Sequence, residues 1–201
     1  MKKTLYYFFK SIVNPKKSFE ELSDDNESLK YGWLIILFIG IVYGTTLFLN
    51  IVFAKLPWAP ALVKIPDNYY YIWATFAGTP AIVCFYIMSS GMIHMLGKIF
   101  KAEANFEKTF ALTSYAISLP MSISWILETA ILIGLLITGK QKPEGIWITI
   151  AILSYVLTGV YTLILMPFAV FVSQKIKVWQ SIAIGTFTSI VFLLFVVLMM
   201  A

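Results

Sequence analysis

The chain has no arginine, one cysteine, one histidine and little charge of either sign. Each shortage excludes something. Without arginine there is no bidentate guanidinium clamp for phosphate or carboxylate. Cys84 has no second cysteine to pair with, so no internal disulfide forms, and cysteine usage says nothing about redox compartment. Cys84 and His94 together fall short of a Cys/His zinc site within one chain. Only 12% of the 201 residues are charged, where a soluble domain carries roughly 25%. The HExxH, GxSxG and glycine-rich phosphate-loop motifs are all missing. The sequence therefore predicts a protein that is not an enzyme and uses neither cofactor nor metal. The net charge of +5 comes from lysine against acid, and no aromatic-studded basic face lies outside the apolar runs. No nucleic-acid partner is expected.

The chain does have five long apolar stretches, near 31–53, 72–96, 112–138, 146–172 and 179–200. Each exceeds the roughly 20 residues that cross a ~30 Å hydrocarbon core at ~1.5 Å per residue. Hydrophobic residues make up 60% of the chain and mean hydropathy is +0.85. The runs do not alternate as the strands of a membrane barrel would. The predicted fold is all-α and polytopic: a bundle of five transmembrane helices with short interfacial helices. Residues 1–30 form an N-terminal segment and 31–201 the five-span domain. The start superficially resembles a signal peptide, but Lys10 breaks its apolar run and no small-residue cleavage site follows. It is expected to be retained.

Lysines are divided unevenly between the two ends of these spans. Lys2, Lys3, Lys10, Lys16, Lys17, Lys30, Lys98, Lys101, Lys108, Lys175 and Lys177 fall on one side, and Lys55, Lys64, Lys140 and Lys142 on the other. The positive-inside bias puts the N-terminus in the cytoplasm and the C-terminus outside, in a cytoplasmic (inner) membrane. Aromatic anchors agree: Trp33 and Trp179 lie at one end, and Trp58, Tyr69, Tyr70, Tyr71, Trp73 and Trp147 at the other. Trp125 is the exception, well inside the third span.

Outside the spans, Leu5, Phe8, Phe9 and Ile12 recur at helical spacing. With lysines around them they predict a helix lying on the membrane surface and attracted to anionic lipids. Asn14-Pro15 signals a turn. Ser18 and Glu21 have capping-box spacing, so a second helix is expected to start there. Residues 23–28 read as a solvated acidic linker. Ile99, Ala102, Phe106 and Phe110 predict a surface helix over 98–111. Residues 54–71, with Pro57, Pro60 and Pro66, predict an irregular cap.

Glu128 is the sharpest candidate for function. It lies about 16 residues into the third span, where a charge costs ~3 kcal/mol on insertion scales. Intramembrane acids usually face protein or water and often serve transport. No lysine lies at its depth, so desolvation favours the neutral acid. The alternative is a protonated structural glutamate. By depth, its expected neighbours are Thr45, Thr46 or Asn50, Thr79, and Tyr155 or Thr158. Trp125 precedes it by one turn. Ser114, Ser118, Ser122, Ser124 and Thr129 share its span, as the lining of a polar cavity or as serine-mediated packing. His94 sits near the lysine-rich end of the second span, ~20 Å from Glu128 by helical rise, and reads as an interfacial histidine. Gly40 and Gly44 form a GxxxG motif, read as intrachain packing ahead of a homo-oligomer contact. Pro80, Pro120 and Pro167 fall within spans and introduce kinks.

One stretch is familiar as a pattern. Ser89-Ser90-Gly91 leads to Gly97-Lys98-Ile99-Phe100, then Ala104, Phe106, Thr109-Phe110, Tyr115-Ala116 and Pro120. This resembles the second-to-third-span region of the Yip family, the Ypt/Rab-interacting five-span membrane proteins, and its prokaryotic branch in particular. Ile12, Pro15, Phe19 and Leu22 resemble the segment ahead of the first span there. The resemblance implies membrane organisation or protein interaction, which in eukaryotic relatives means vesicle traffic and prenylated small GTPases. It supplies no catalytic residue and names no partner for this chain. The competing expectation is a small transporter, channel or lipid-moving protein built on Glu128. A third is an intramembrane hydrolase using His94 and a serine.

Overall fold

The computed structural model describes residues 1–53, 67–102, 105–139 and 145–200. Among them are eight α-helices, one π-helical segment and no strand. Two short helices come first, α1 (Lys2–Val13) and α2 (Pro15–Asp24). The long helices are α3 (Ser28–Phe53), α5 (Thr79–Ile99), α6 (Phe106–Thr138), α7 (Ile146–Gln174) and α8 (Val178–Met200). Helix α4 (Asp67–Trp73) leads through the π segment Ala74–Gly78 into α5. Five helices, α3 and α5 to α8, are long and apolar enough to cross a membrane. The protein is an all-α polytopic membrane protein.

Helix α6 is the centre of the bundle. It packs on α3, α5 and α7, and at its start on α1 and α2, while α8 lies outside against α7 and α5. Every residue from 109 to 122 is buried. A helix enclosed on all sides has no amphipathic stripe. Its 33 residues rise ~50 Å, well beyond a ~30 Å hydrocarbon core. The surface helix expected over 98–111 is therefore not a separate element. A tight turn closes α5, where Gly97 O accepts from Phe100 N at 2.9 Å and from Ala102 N at 3.1 Å. Asn105 then caps α6 through Glu107 N at 2.8 Å, and Phe106 and Phe110 belong to its first turns.

Close approach sets two of the helix contacts. A Cβ on Gly32 would lie 2.9 Å from Ala111 Cα, and one on Gly185 would lie 2.6 Å from Pro167 N. Small residues at these points let α3 meet α6 and α8 meet α7. Gly40 and Gly44, by contrast, have nothing within 4 Å of the added carbon, so the GxxxG motif does not serve packing within this chain. Pro120 and Pro167 lie inside helices. Pro80 is instead the second residue of α5, directly after the π segment. Proline's missing N–H and its clash with the carbonyl four residues back explain why α-helical bonding breaks there. Of the irregular cap expected over 54–71, residues 54–66, with Pro57, Pro60 and Pro66, lie outside the described residues, and 67–71 are helical, as part of α4.

The N-terminal pair departs most from expectation. Asn14 caps α2 by accepting from Lys17 N at 3.3 Å, with Pro15 at the first helical position. The Ser18–Glu21 capping box does not form. Ser18 Oγ instead donates to Tyr7 O at 3.1 Å and meets Ser11 Oγ at 2.8 Å inside the α1–α2 contact. That polar seam rotates α1 so that Thr4, Tyr7, Phe8 and Ser11 face inward. Phe8 meets Phe38 of α3 with ring centroids 6.5 Å apart, and Tyr115 Oη of α6 donates to Thr4 O at 3.2 Å. The expected face of Leu5, Phe8, Phe9 and Ile12 is thus split, with Phe9 and Ile12 exposed. Residues 24–28 are a bonded turn rather than a loose linker: Asp25 Oδ1 accepts from Glu27 N at 3.0 Å, and Ser28 N donates to Asp25 O at 3.1 Å.

Ion pairs hold this unit. Lys3 Nζ lies 3.0 Å from Asp25 Oδ2, Tyr7 Oη donates to the same oxygen at 2.9 Å, and Lys10 pairs with Glu21. The Glu27 backbone N–H, and after it Lys3 and Tyr7, hold the Asp25 carboxyl below its usual range. Lys10 does the same for Glu21. Asp25 and Glu21 in turn raise Lys3 and Lys10. Burial, reinforced by Asp25, pushes the Tyr7 phenol up to about 12. For the lowered acids, stability is present above their unfolded value near ~4 and is lost as pH falls through the folded one. For the raised lysines it is present below ~10.4 and lost as pH rises through the folded value. Hydrogen exchange of backbone amides 2–24 in the detergent-purified protein should therefore be slowest relative to an unstructured reference between about pH 5 and 9. Protection should fall below ~pH 4. Uniform protection down to pH 2 would show that these pairs do not hold the unit.

The lysine asymmetry has its own test. Cys84 is exposed and is first replaced in Cys84→Ser. Asn26, Lys98 and Thr138 are exposed, so single cysteines there report each end. In intact cells an impermeant thiol reagent should label Thr138→Cys and spare Asn26→Cys and Lys98→Cys. The reverse pattern inverts the expected orientation.

Candidate functional site

Glu128 lies ten residues before the end of α6, and Tyr155 nine residues after the start of antiparallel α7. At ~1.5 Å per residue both sit ~14–15 Å from the same end of the bundle. They meet there: Tyr155 Oη donates to Glu128 Oε1 at 2.8 Å, and Glu128 is buried. One turn back, Trp125 is 1% exposed and stacks on Tyr43 of α3, with centroids 4.9 Å apart and planes 29° apart. Beside Glu128, Thr129 Oγ1 donates to Trp125 O at 2.8 Å and meets Thr46 Oγ1 of α3 at 3.1 Å. Asn50 Nδ2 continues the line to Thr46 O at 3.0 Å. Asn50 Oδ1 is buried without a hydrogen-bond partner among the described residues.

The serine ladder of α6 is bonded throughout. Ser124 Oγ donates to Ser154 O at 3.2 Å and pairs with Thr158, whose hydroxyl also donates to Pro120 O at 3.1 Å. Ser118 meets Tyr86 Oη of α5 at 2.9 Å. Ser114 and Ser122 donate to Phe110 O and Leu119 O, each at 2.7 Å. Ser118 and Ser124 thus make contacts to two different helices, and Ser114 and Ser122 bond their own helix, so the serines do not form one polar lining.

The structure therefore brings Glu128, Trp125 and Ser124 to one level of the bundle and separates Ser118 and His94 from them. The His94 ring packs edge-on against Phe106 at 5.8 Å, and Phe106 opens α6, so Glu128 lies ~33 Å further along that helix. Of the expected neighbours, Tyr155 bonds Glu128 directly, while Thr46 bonds the adjacent Thr129, Asn50 bonds Thr46 O, and Thr158 bonds Ser124 and Pro120 O. Thr45 turns outward and bonds its own helix at Ile41 O, 2.8 Å away. The Thr79 side chain lies outside those described. Tyr43 was missed, and only its ring contact with Trp125 would have marked it. A second buried polar contact was also missed: Gln174 of α7, fully buried, donates from Nε2 to Thr109 Oγ1 of α6 at 2.7 Å. Its signal was a glutamine at the end of an otherwise apolar run.

Chemically, the Glu128 cluster is a carboxyl with one phenolic donor and neutral hydroxyls nearby. It can hold or exchange a proton. Among the described residues, no three His, Cys, Asp or Glu side chains gather as metal ligands.

Stability variants test this geometry. Glu128→Gln keeps the acceptor for Tyr155 and should unfold within about 1 kcal/mol of wild type. Glu128→Leu leaves the Tyr155 hydroxyl unpaired and should lose roughly 1–3 kcal/mol. Tyr155→Phe should fall near the lower figure. Unfolding in detergent measures all three, and equal stability of Glu128→Leu and wild type would remove the bond from the account of the fold.

Comparison with known proteins follows from this fold. A family model, the Yip1 domain, matches residues 9–200. An uncharacterized protein of the archaeon Methanocaldococcus jannaschii is 29% identical over 113 residues, covering 55% of this chain and 78% of the relative. No solved structure matches. With the match running from α1 to the end of α8, the chain belongs to the Yip1 domain family.

Proposed function

We propose that this protein is a non-enzymatic organiser of the membrane in which it sits, acting through the α1–α2 unit at its lysine-rich end. The observation that carries this reading is the outward face of α1. Phe9 is 61% exposed and Val13 86%, with Ile12 beside them, although the opposite face of α1 is locked to α3 and α6. Exposed apolar side chains held rigidly among lysines suit insertion into the headgroup–acyl boundary of one leaflet. Anionic lipid there would add on the order of 1 kcal/mol per nearby lysine. The lysine asymmetry supports reading this leaflet as the cytoplasmic side of an inner membrane. Family membership supports a role in membrane organisation or interaction. The edge-on packing of His94 on Phe106, with Nδ1 bonded to no serine among the described residues, supports leaving hydrolase chemistry aside.

Reconstitution tests the reading. Wild-type protein in vesicles containing anionic lipid should change vesicle size or shape as its density rises. Phe9→Asp combined with Ile12→Asp touches only exposed positions, so the fold should survive while the remodelling is lost and salt sensitivity falls. Remodelling that persists in the double variant removes the α1 face from the mechanism.

Glu128 favours a second reading, a small transporter or lipid-moving protein. Its support is a buried carboxyl bonded to Tyr155 at the level of Trp125. The same vesicles decide: proton, ion or lipid flux abolished by Glu128→Gln favours transport, and absence of flux favours the structural role.

A further inference from the structure

At the lysine-rich end an open groove of about 420 Å³ runs between α2 and the last turn of α7. Glu20 and Asp24 of α2 form one wall, Phe171, Val172 and Ile176 the floor, and Lys175 the facing lip. Its charges differ from those of the neighbouring turn. Glu21, Asp25 and Glu27 are each paired with a lysine, Lys10, Lys3 and Lys30 respectively. Asp24 and Lys175 make no ion pair among the described residues, and Glu20 has only Lys16, at 3.9 Å. Lys16 itself lies over the Phe171 ring, 5.9 Å from its centroid. Asp24 and Lys175, without an ion-pair partner among the described residues, thus line one apolar-floored groove with the loosely paired Glu20.

We propose that this groove binds a glycerophospholipid whose headgroup carries both a phosphate and a primary ammonium, of the phosphoethanolamine type. The ammonium meets Glu20 and Asp24, and the phosphate meets Lys175 and Lys16. An anionic lipid without an amine would satisfy the lysines but turn its hydroxyls or second charge toward two carboxylates. Depth and continuity select a lipid over a soluble ligand. The groove lies at the end of a membrane-spanning helix, close in sequence to Trp179, which is exposed and marks the headgroup level. Leu157, Val160, Ile164, Phe168 and Phe171 follow one another at i+3 or i+4 along α7, a single stripe leading to Lys175. Three of them, Leu157, Val160 and Ile164, are about half exposed, so acyl chains have a track below the groove. Backbone conformation adds a separate point. Lys175 closes α7 at φ 51° and ψ 38°, a position where helices usually carry glycine. A lysine there keeps a cation on the lip against backbone preference.

The proposal involves different residues from the outward face of α1, so either can fail alone. The test is native mass spectrometry of the full chain with phosphatidylethanolamine and phosphatidylglycerol of identical acyl chains. Two weak, partly exposed charge contacts predict retention of the ethanolamine lipid by about fivefold. Glu20→Gln with Asp24→Asn should abolish that preference. Lys175→Gly should abolish it too, yet unfold no earlier than wild type, because glycine suits its backbone. Lys101→Gln, away from the groove, should keep it. Equal retention of both lipids by wild type overturns the proposal, as does a preference that survives in the double variant or in Lys175→Gly. Stabilisation by free phosphoethanolamine equal to that by the lipid would also overturn it, since the ligand would then be soluble.

Discussion

Hydrocarbon offers no hydrogen bonds, so each polar atom on a membrane-spanning helix needs a partner within the protein. Helix α6 carries more of them than any other span. Four serines, three threonines and a glutamate occupy residues 109–129, along a helix buried without interruption from 109 to 122. The arrangement of the other helices follows from covering it. Helix α3 supplies Thr46 and Tyr43, α5 supplies Tyr86, and α7 supplies Thr158, Tyr155 and Gln174. Even α1 contributes, by accepting the Tyr115 hydroxyl at a backbone carbonyl. Apolar contact alone gives little preference between a helix and lipid tails. The hydroxyls, together with the close approaches at Gly32 and Gly185, decide which helices are neighbours.

The five spans were legible because length and apolarity are local properties, and a bilayer sets the minimum for both. Errors clustered where a choice depended on the partner. Phe8 and Phe9 are indistinguishable in a helical-spacing argument, and the buried Ser11–Ser18 contact is what turns one inward and the other out. Asn14 and Ser18 are both good helix starters, and Pro15 favours the earlier cap. Residues 98–111 have the spacing of a surface helix, but 106–111 are the first turns of α6, which α1 and α2 cover. At Pro80 the sequence signalled a kink, and the outcome was a π-helical turn before the proline.

Part of the candidate site could be read by counting residues. Antiparallel helices of known span length put Tyr155 at the depth of Glu128, and the bond between them is present. Ser118 was grouped with Glu128 because both lie on α6. Side chains ten residues apart are ~15 Å apart along a helix, and Ser118 turns to α5 instead. His94 is a candidate because serines lie within reach along its helix, and its place beside Phe106 gives it no part at Glu128. Tyr43 and Gln174 were missed because their importance comes from α6, not from their own spans.

The enclosure of α6 also bears on how the chain enters the membrane. Spans emerge from synthesis in order, and α6 arrives after α3 and α5 but before α7. At that stage Ser124 and Glu128 have no Ser154, Thr158 or Tyr155 to bond, and their side of α6 would have to face lipid or the insertion machinery. Those polar side chains are therefore the part of the third span least able to partition alone. Its stable placement waits on α7, which makes the fourth span an assembly checkpoint as well as part of the wall.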